Sequence, residues 1–414
     1  MAQPDRAYFD WNATAPLRAE AREAMLKALE MQGNASSVHA EGRRARAVVE
    51  QARAEVAALV GAQPAQVTFT SGATEANTLA LTPAIEADGR RLIGDQLLVS
   101  AIEHPSVLNG GRFERVERLA VTADGLIDRQ SLGERLNKAE HPLVSVMLAN
   151  NETGVVQPVR EVADRVHAAG GLLHIDAAQG PGRIDCNINA LGADLMTLSA
   201  HKFGGPQGVG ALIRRSDIHI ADQVLKGGGQ ERGLRAGTEA VAAIAGFGAA
   251  ARAARLGRDA EAKRMESLRN RLESGLLAAT PDAVIFGARA PRLPNTTLVA
   301  RPGLNAETAI IAFDLNGIAV SSGSACSSGK VTPSHVLEAM GHNLCAKSAI
   351  RISLGPKTTE NDIEKLLEAW LKVAGRVSTL VLKTPDKALF GERGPYGGPK
   401  RTFVGDQNEP TITD

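Results

Sequence analysis

The sequence predicts an α/β protein with a large, mostly parallel sheet and a second, smaller α+β region. Short apolar runs alternate with helix-like segments between residues 97 and 213, which is typical of a parallel sheet with helices on both faces. A run of small apolar residues at 240–251 indicates a buried helix, and a charged helical stretch at 252–271 follows it. We therefore expect a large domain at residues 16–260, a small domain at 1–15 plus 261–380, and a polar, Gly- and Pro-rich tail at 384–414.

The individual elements follow from local periodicity. A short strand and turn at 8–16 precede two helix patterns at 19–32 and 41–60. The second pattern places its apolar residues on one helical face, namely Ala45, Val49, Ala52, Val56 and Leu59. In the large domain we expect strands at 97–100, 143–148, 172–175, 195–198 and 210–213 and helices at 76–80, 130–138 and 159–169. In the small domain we expect strands at 295–299, 320–321 and 350–354 and helices at 306–315 and 359–374.

Composition argues against several classes of function. The 414 residues are 43% hydrophobic, enough for a large core, and a net charge of +1 does not favour a nucleic-acid or membrane partner. No apolar stretch approaches the roughly 20 residues of a membrane span, and the first residues lack a signal-peptide pattern. Three scattered cysteines indicate neither a disulfide framework nor a zinc site, so we expect a cytoplasmic protein.

A lysine follows one of the predicted strands. In LMTLSAHKFGGPQGVG, residues 195–210, an apolar run leads into Ser199, His201 and Lys202 and then into a glycine-rich bend. A lysine in a partly desolvated pocket loses its proton more readily, as a lysine that forms a Schiff base must. The alternative is a solvated lysine in a loop beside a hairpin.

Two further stretches suit the same ligand. The strand LLHIDAAQ, residues 172–179, places Asp176 where a carboxylate can pair with the ring nitrogen of pyridoxal phosphate, although aspartate also caps helices. Asp176 and Lys202, each at a strand end, can meet across one ligand. The segment TSGATE, residues 70–75, lies between a strand and a helix, where backbone amides bind phosphate. A plain capped helix has the same pattern.

The chain contains six separated motifs: TSGATE, ANNETGVVQP, HIDAAQ, SAHKFGGPQGVG, GGGQERGLRAGT and SSGSACSSG. Together and in this order, they resemble the motifs of the NifS/IscS-type cysteine desulfurases, which are class V PLP-dependent enzymes. The resemblance extends from about residue 8 to about residue 377. It implies fold type I, as in aspartate aminotransferase, with a seven-stranded large sheet. Ala35 departs from the family pattern, which usually has proline there, and leaves the shape of the loop at 33–39 open.

The resemblance implies a role for each matching residue. Lys202 would carry pyridoxal phosphate and move a substrate proton, Asp176 would pair with the pyridine nitrogen, and His104 would stack on the ring and act as acid or base. Arg351 would bind the substrate carboxylate, with assistance from Asn34. The remaining cofactor-binding residues would be Ala73, Thr74, Asn151, Gln179, Ser199, His201 and, from the neighbouring subunit of a homodimer, Thr238.

A loop of small residues, SSGSACSSG at 321–329, contains Cys326. Serine and glycine restrain the backbone little, so this thiol can approach a substrate on the cofactor and then leave with its sulfur. The nucleophile must be the thiolate, although a free cysteine has a pKa of roughly 8.5. The family implies that Cys326 also ligates an iron–sulfur cluster transiently, and we expect no stable metal site. We expect Cys186 and Cys345 to be structural.

The sequence therefore predicts a cysteine desulfurase that converts L-cysteine to L-alanine and holds the sulfur as a persulfide on Cys326. The expected acceptors are an iron–sulfur scaffold protein or a sulfur carrier for tRNA or cofactor thiolation. Two alternatives stay open. One is a selenocysteine lyase or another class V PLP-dependent aminotransferase, and the other is a non-catalytic binding subunit with the same fold.

Overall fold

The computed structural model describes residues 6–87, 90–323 and 332–374. Two predictions, the loop that holds Cys326 and the tail at 384–414, lie outside these residues. Within them the strands, β1 to β16, are Ala7–Tyr8, Val67–Thr70, Ile85–Ala87, Arg90–Arg91, Gln96–Ser100, Arg115–Leu119, Leu143–Ser145, Leu172–Asp176, Leu195–Ser199, Gly210–Arg214, His219–Ile220, Val284–Ile285, Thr296–Ala300, Ile318–Ala319, Ser321–Ser322 and Ala349–Ser353. The α-helices in the same residues, α1 to α11, are Ala19–Leu29, Ala40–Leu59, Ala73–Ala80, Pro105–Leu108, Arg129–Leu136, Val159–Ala168, Ile188–Leu191, Val241–Ala279, Ala306–Leu315, His335–Ala339 and Glu360–Ala374.

The large sheet is mostly parallel. Its described strands have the order β2-β10-β9-β8-β7-β5-β6, and β10 alone among them runs antiparallel to its two neighbours. The strands β5 to β9 pair in parallel, and the mainly apolar sequences of β5, β7, β8 and β9 suit strands that are buried on both faces. The predicted α/β fold with a seven-stranded sheet is therefore confirmed.

Helices cover both faces of this sheet. Leu98 belongs to a core cluster that also contains Val49, Val56 and Phe247 from the helices α2 and α8. Its neighbour Leu97 belongs to a second cluster on the other face, together with residues of α3. Because successive side chains of a strand point to opposite faces, a central strand is mainly apolar on both, and buried polar residues such as His174 have hydrogen-bond partners. The apolar stripe predicted for α2 is buried along its whole length.

The second sheet is antiparallel and has the order β12-β13-β16-β15 in the described residues. The helix α8, Val241–Ala279, joins the sequence of the large sheet to that of the small one and is continuous. The segments predicted separately at 240–251 and 252–271 therefore form one helix. The first is rich in alanine and the second in alanine and charged residues, both of which favour a helix, while burial decreases from the first to the second. The domain boundaries stay a prediction.

Some elements have no clear signal in the sequence. The strand β6, Arg115–Leu119, lies at the sheet edge and has the mostly polar sequence RVERL, because a single neighbouring strand and partial burial make few demands on it. The strand β7 ends at Ser145, three residues before the predicted end of its apolar run. In the described part of the chain, no helix is both long and apolar enough to cross a membrane.

Candidate active site

The carboxyl ends of the central strands meet at one edge of the large sheet. There β8 and β9 are adjacent and parallel, with Asp176 opposite Thr197. A short 3-10 helix, Ala200–Lys202, follows β9. These ends surround a cavity of about 550 Å³. The cavity is lined by ten of the predicted site residues, namely Ala73, Thr74, His104, Asn151, Asp176, Gln179, Ser199, His201, Lys202 and Arg351.

Lys202 is held by backbone carbonyls. Its Nζ donates to the carbonyl oxygens of Asn12 and Ala13, both at 2.9 Å. The Asn12 carbonyl also accepts a hydrogen bond from Gln179 Nε2 at 3.0 Å. The alternative of a solvated loop lysine does not describe this environment. Nothing in the sequence marks Asn12 or Ala13 as partners of Lys202, because any residue type supplies a carbonyl oxygen.

The carboxylate of Asp176 is buried and has two donors. Asp176 is the last residue of β8 and is 6% exposed. Its Oδ2 accepts from Asn77 Nδ2 at 2.9 Å, and its Oδ1 accepts from the backbone N–H of Ala178 at 3.0 Å. A turn rather than a helix follows, so Asp176 is not a helix N-cap. Asn77 has no motif of its own, although it lies two residues beyond the TSGATE segment.

The N-terminal end of α3 forms another part of the cavity wall. Gly72 precedes the helix and provides no side-chain cap, and a Cβ atom built at this position would have nothing within 4 Å. The first backbone N–H groups of α3, near Thr74, therefore border on an open space.

The imidazole of His201 is partly buried beside Thr14. Thr14 Oγ1 lies 3.1 Å from His201 Nδ1. Burial, and secondarily the charge of Lys202, lowers the pKa of His201 to about 4, so this ring is neutral at pH 7.

Arg351 contributes a buried guanidinium to the same cavity. It lies on β16 and is 2% exposed. Its Nη2 pairs with Asp10 Oδ1 at 2.7 Å, and its Nη1 donates to the carbonyl oxygen of Asn151 at 3.3 Å. Its Nε has no hydrogen-bond partner among the described residues. A buried donor without a partner is costly, so this edge of Arg351 suits a bound carboxylate.

Three predicted residues lie elsewhere. Asn34 is exposed, and its Oδ1 accepts from the N–H of Ser36 at 2.8 Å in a local turn. Thr238 lines a separate cavity of about 110 Å³, which shares Ser71, Gly208 and Val209 with the large one. Cys326 lies outside the described residues. The roles of all three stay predictions.

The described residues fit pyridoxal phosphate. One cavity offers a primary amine for the aldehyde of the cofactor, a buried carboxylate for its ring nitrogen and an open helix start for its phosphate. Within the same described residues, no group of three or more His, Cys, Asp or Glu side chains could hold a metal ion.

Comparisons with known proteins agree with this geometry. A model of the aminotransferase class-V family matches residues 7–366. A relative named cysteine desulfurase, from Cereibacter sphaeroides, is 42% identical over 91% of this chain and 97% of its own length. The X-ray structure of a NifS-like protein from Rickettsia africae ESF-5 has a TM-score of 0.82 and 37% identity, covering 89% of this chain and 99% of that chain. The structure of SspA in complex with cysteine has a TM-score of 0.71 and 31% identity, covering 85% of this chain and 100% of that chain. The chain therefore belongs to the class V aminotransferase family, whose cysteine desulfurases depend on pyridoxal phosphate.

Proposed function

We propose that this protein is a cysteine desulfurase that converts L-cysteine to L-alanine with pyridoxal phosphate. The observation that carries the proposal is a single cavity lined by Lys202, Asp176, His104 and Arg351. An amine, a carboxylate, an imidazole and a guanidinium at one place suit an amino-acid substrate held on this cofactor. The relatives named cysteine desulfurase, and the related structure with bound cysteine, support the choice of substrate.

Each side chain has a task that its surroundings support. Bound pyridoxal phosphate supplies an electron sink for the bonds at the substrate Cα. Arg351 orients the substrate by its carboxylate, and Asp176 keeps a negative charge beside the ring nitrogen. Lys202 carries the cofactor at rest. As a free amine, its Nζ would take the proton from the substrate Cα, and the carbonyls of Asn12 and Ala13 would stabilise the resulting ammonium.

Cys326 would perform the sulfur transfer. Its thiolate forms an S–S bond with the substrate sulfur while the carbon–sulfur bond breaks. The electron pair of that bond stays with the carbon fragment, which takes up a proton and leaves as alanine. The products are alanine and a persulfide on Cys326, so the reaction needs no external oxidant or reductant.

The cellular location, the oligomeric state and the sulfur acceptor are proposed on the same basis. We place the enzyme in the cytoplasm, since the described cysteines, Cys186 and Cys345, are free thiols. We propose a homodimer in which Thr238 reaches the phosphate of the neighbouring subunit, since Thr238 does not line the large cavity of its own chain. The sulfur acceptor would be an iron–sulfur scaffold protein or a sulfur carrier, and Cys326 would contact a nascent cluster only transiently.

The test measures alanine and sulfide formed from L-cysteine by the PLP-loaded protein in the presence of a thiol reductant. We expect Cys326→Ala and Lys202→Ala each to lower alanine formation by at least about 100-fold, because each removes a group that forms a covalent bond in the reaction. Cys345→Ala is the matched control, since that thiol is buried outside the cavity, and it should keep wild-type turnover. Full turnover by Cys326→Ala would refute the persulfide scheme.

A further inference from the structure

The imidazole of His104 is held at its ring nitrogen Nδ1. The residue is the N-cap of α4, and its Nδ1 accepts a hydrogen bond from the backbone N–H of Ser106 at 3.2 Å. The hydroxyl oxygen of Ser106 lies 2.8 Å from the same Nδ1. A backbone N–H can only donate, so Nδ1 carries no proton when this bond is made.

The hydroxyl of Ser106 is itself oriented by Asn77. The side-chain amide of Asn77 is fully buried, and its Nδ2 donates to Ser106 Oγ and to Asp176 Oδ2, each at 2.9 Å. Exchanging the two ends of this amide would place its oxygen against the Asp176 carboxylate, and this repulsion favours the present orientation, in which Asn77 Oδ1 has no partner among the described residues. Ser106 Oγ therefore accepts from Asn77 and turns its own proton toward His104 Nδ1.

We propose that Ser106 and Asn77 are positioning residues, which hold His104 as the tautomer protonated at Nε2 and couple the orientation of its ring to the Asp176 carboxylate. The inference deepens the proposed function and rests on it for the chemical meaning of His104. With Nδ1 occupied by two donors, Nε2 is the nitrogen through which His104 acts in the cavity that it lines. In the neutral ring that nitrogen donates, so His104 acts first as a hydrogen-bond donor or acid toward the bound substrate rather than as a base.

A purely structural role has different consequences. If Ser106 served only the capping of α4 by His104, its backbone N–H would be sufficient and its hydroxyl dispensable. The positioning role needs the hydroxyl, because Oγ is the atom that joins His104 to Asn77 and thereby to Asp176. Ser106→Ala removes only this oxygen, while Ser106→Thr retains a hydroxyl in the same place.

The direct test is ¹⁵N NMR of the PLP-loaded protein labelled at histidine. The chain has nine histidines, and His104→Gln identifies the signals of His104 by their loss. We expect Nδ1 of His104 to resonate as an unprotonated imidazole nitrogen and Nε2 as a protonated one. A protonated Nδ1 in the neutral wild-type ring would overturn the proposal without any need for a variant at Ser106.

Variants of Ser106 test whether its hydroxyl group is needed. We expect Ser106→Ala to mix the two tautomers and to lower kcat by about 2- to 10-fold, the effect of one lost hydrogen bond, with KM unchanged within about 2-fold. Ser106→Thr should restore both properties. The control Ser131→Ala removes a hydroxyl whose oxygen accepts from the N–H of Ala120, and it should change neither. Wild-type signals and kcat in Ser106→Ala would overturn the role of Ser106. Failure of the wild type to form alanine would instead reject the proposed function and leave the tautomer result standing.

Discussion

A buried ion pair between Arg53 and Glu231 fixes the segment that leads to Thr238. Both side chains are 2% exposed, and they make two hydrogen bonds, at 2.7 and 2.9 Å. Arg53 also donates to the carbonyl oxygen of Val67, and Glu231 also accepts from the N–H of Phe69, so the pair holds this segment against β2. Glu231 has a φ of 47°, an unfavourable value for a residue with a side chain, and the pair offsets that cost.

The burial of this ion pair sets the free-energy cost of removing one or both of its members. Arg53→Met leaves Glu231 as a buried charge without its partner, which costs about 3–5 kcal/mol. Glu231→Gln costs less, about 1–3 kcal/mol, because Arg53 keeps Glu50, whose Oε2 lies 3.2 Å from Arg53 Nε and whose side chain is 36% exposed. The double variant leaves no buried charge. Its introduced glutamine retains a side-chain acceptor for the N–H of Phe69, so the principal loss is the donor to Val67, about 1–3 kcal/mol. The sum of the two single effects would therefore exceed the double effect by at least about 1 kcal/mol.

Hydrogen exchange measures the free energy of local opening. A local measurement is necessary because a chain of this length with a bound cofactor need not unfold in two states. The free energy of opening is read from peptides that cover β2 and residues 230–238, for the wild type, both single variants and the double variant. The exposed pair Arg129–Glu161 is the matched control, and Glu161→Gln should cost less than about 1 kcal/mol. Single effects below about 1 kcal/mol, or additive effects, would refute the reasoning.

Two more outcomes follow from packing and burial. Burial, and to a lesser extent Asp176, raises the pKa of Glu103 well above 4.5, so wild-type stability declines as pH rises from about 4.5 toward that pKa. Glu103→Gln keeps an acceptor for the N–H of Met147, and thermal melting should show a smaller decline above pH 4.5 and no difference below it. A Cβ atom at Gly355 would lie 2.0 Å from the Trp11 ring, so Gly355→Ala should destabilise by about 1–3 kcal/mol, whereas Gly133→Ala in α5 should stabilise by about 0.5–1 kcal/mol. Equal melting of these two glycine variants would contradict this packing argument.

The fold was predictable because its signals are local and repeated. The central strands β5, β8 and β9 are mainly apolar, as strands buried on both faces are expected to be. The polar edge strand β6 is under no such demand and has no comparable pattern. The continuous helix α8 was divided in prediction because its burial, and not its helix propensity, changes along its length.

The candidate site was predictable to the extent that its residues belong to strand ends and motifs. Lys202 and Asp176 each stand at a strand end whose residue pattern indicates their chemistry, Arg351 was predicted from the family resemblance, and the structure brings all three to one cavity. Asn34 and Thr238 are different, because their predicted roles depend on the family, and in the single chain neither lines that cavity. In the proposed homodimer, Thr238 of the second subunit would provide the contact to the phosphate.

Asn12 shows why the supporting residues escape prediction. Its side chain donates to Thr296 Oγ1 at 2.9 Å and to the carbonyl oxygen of Asn151 at 3.1 Å, while its own carbonyl accepts from Lys202. It thus joins the amine of the site to the turn after β7 and to the small sheet, across 284 positions of sequence. No pattern of period 2 or 3.6 extends over such a separation, and an asparagine after a strand is equally typical of a turn. The motifs therefore indicate the class of reaction, whereas the orientation of the reacting groups depends on contacts that only the folded chain creates.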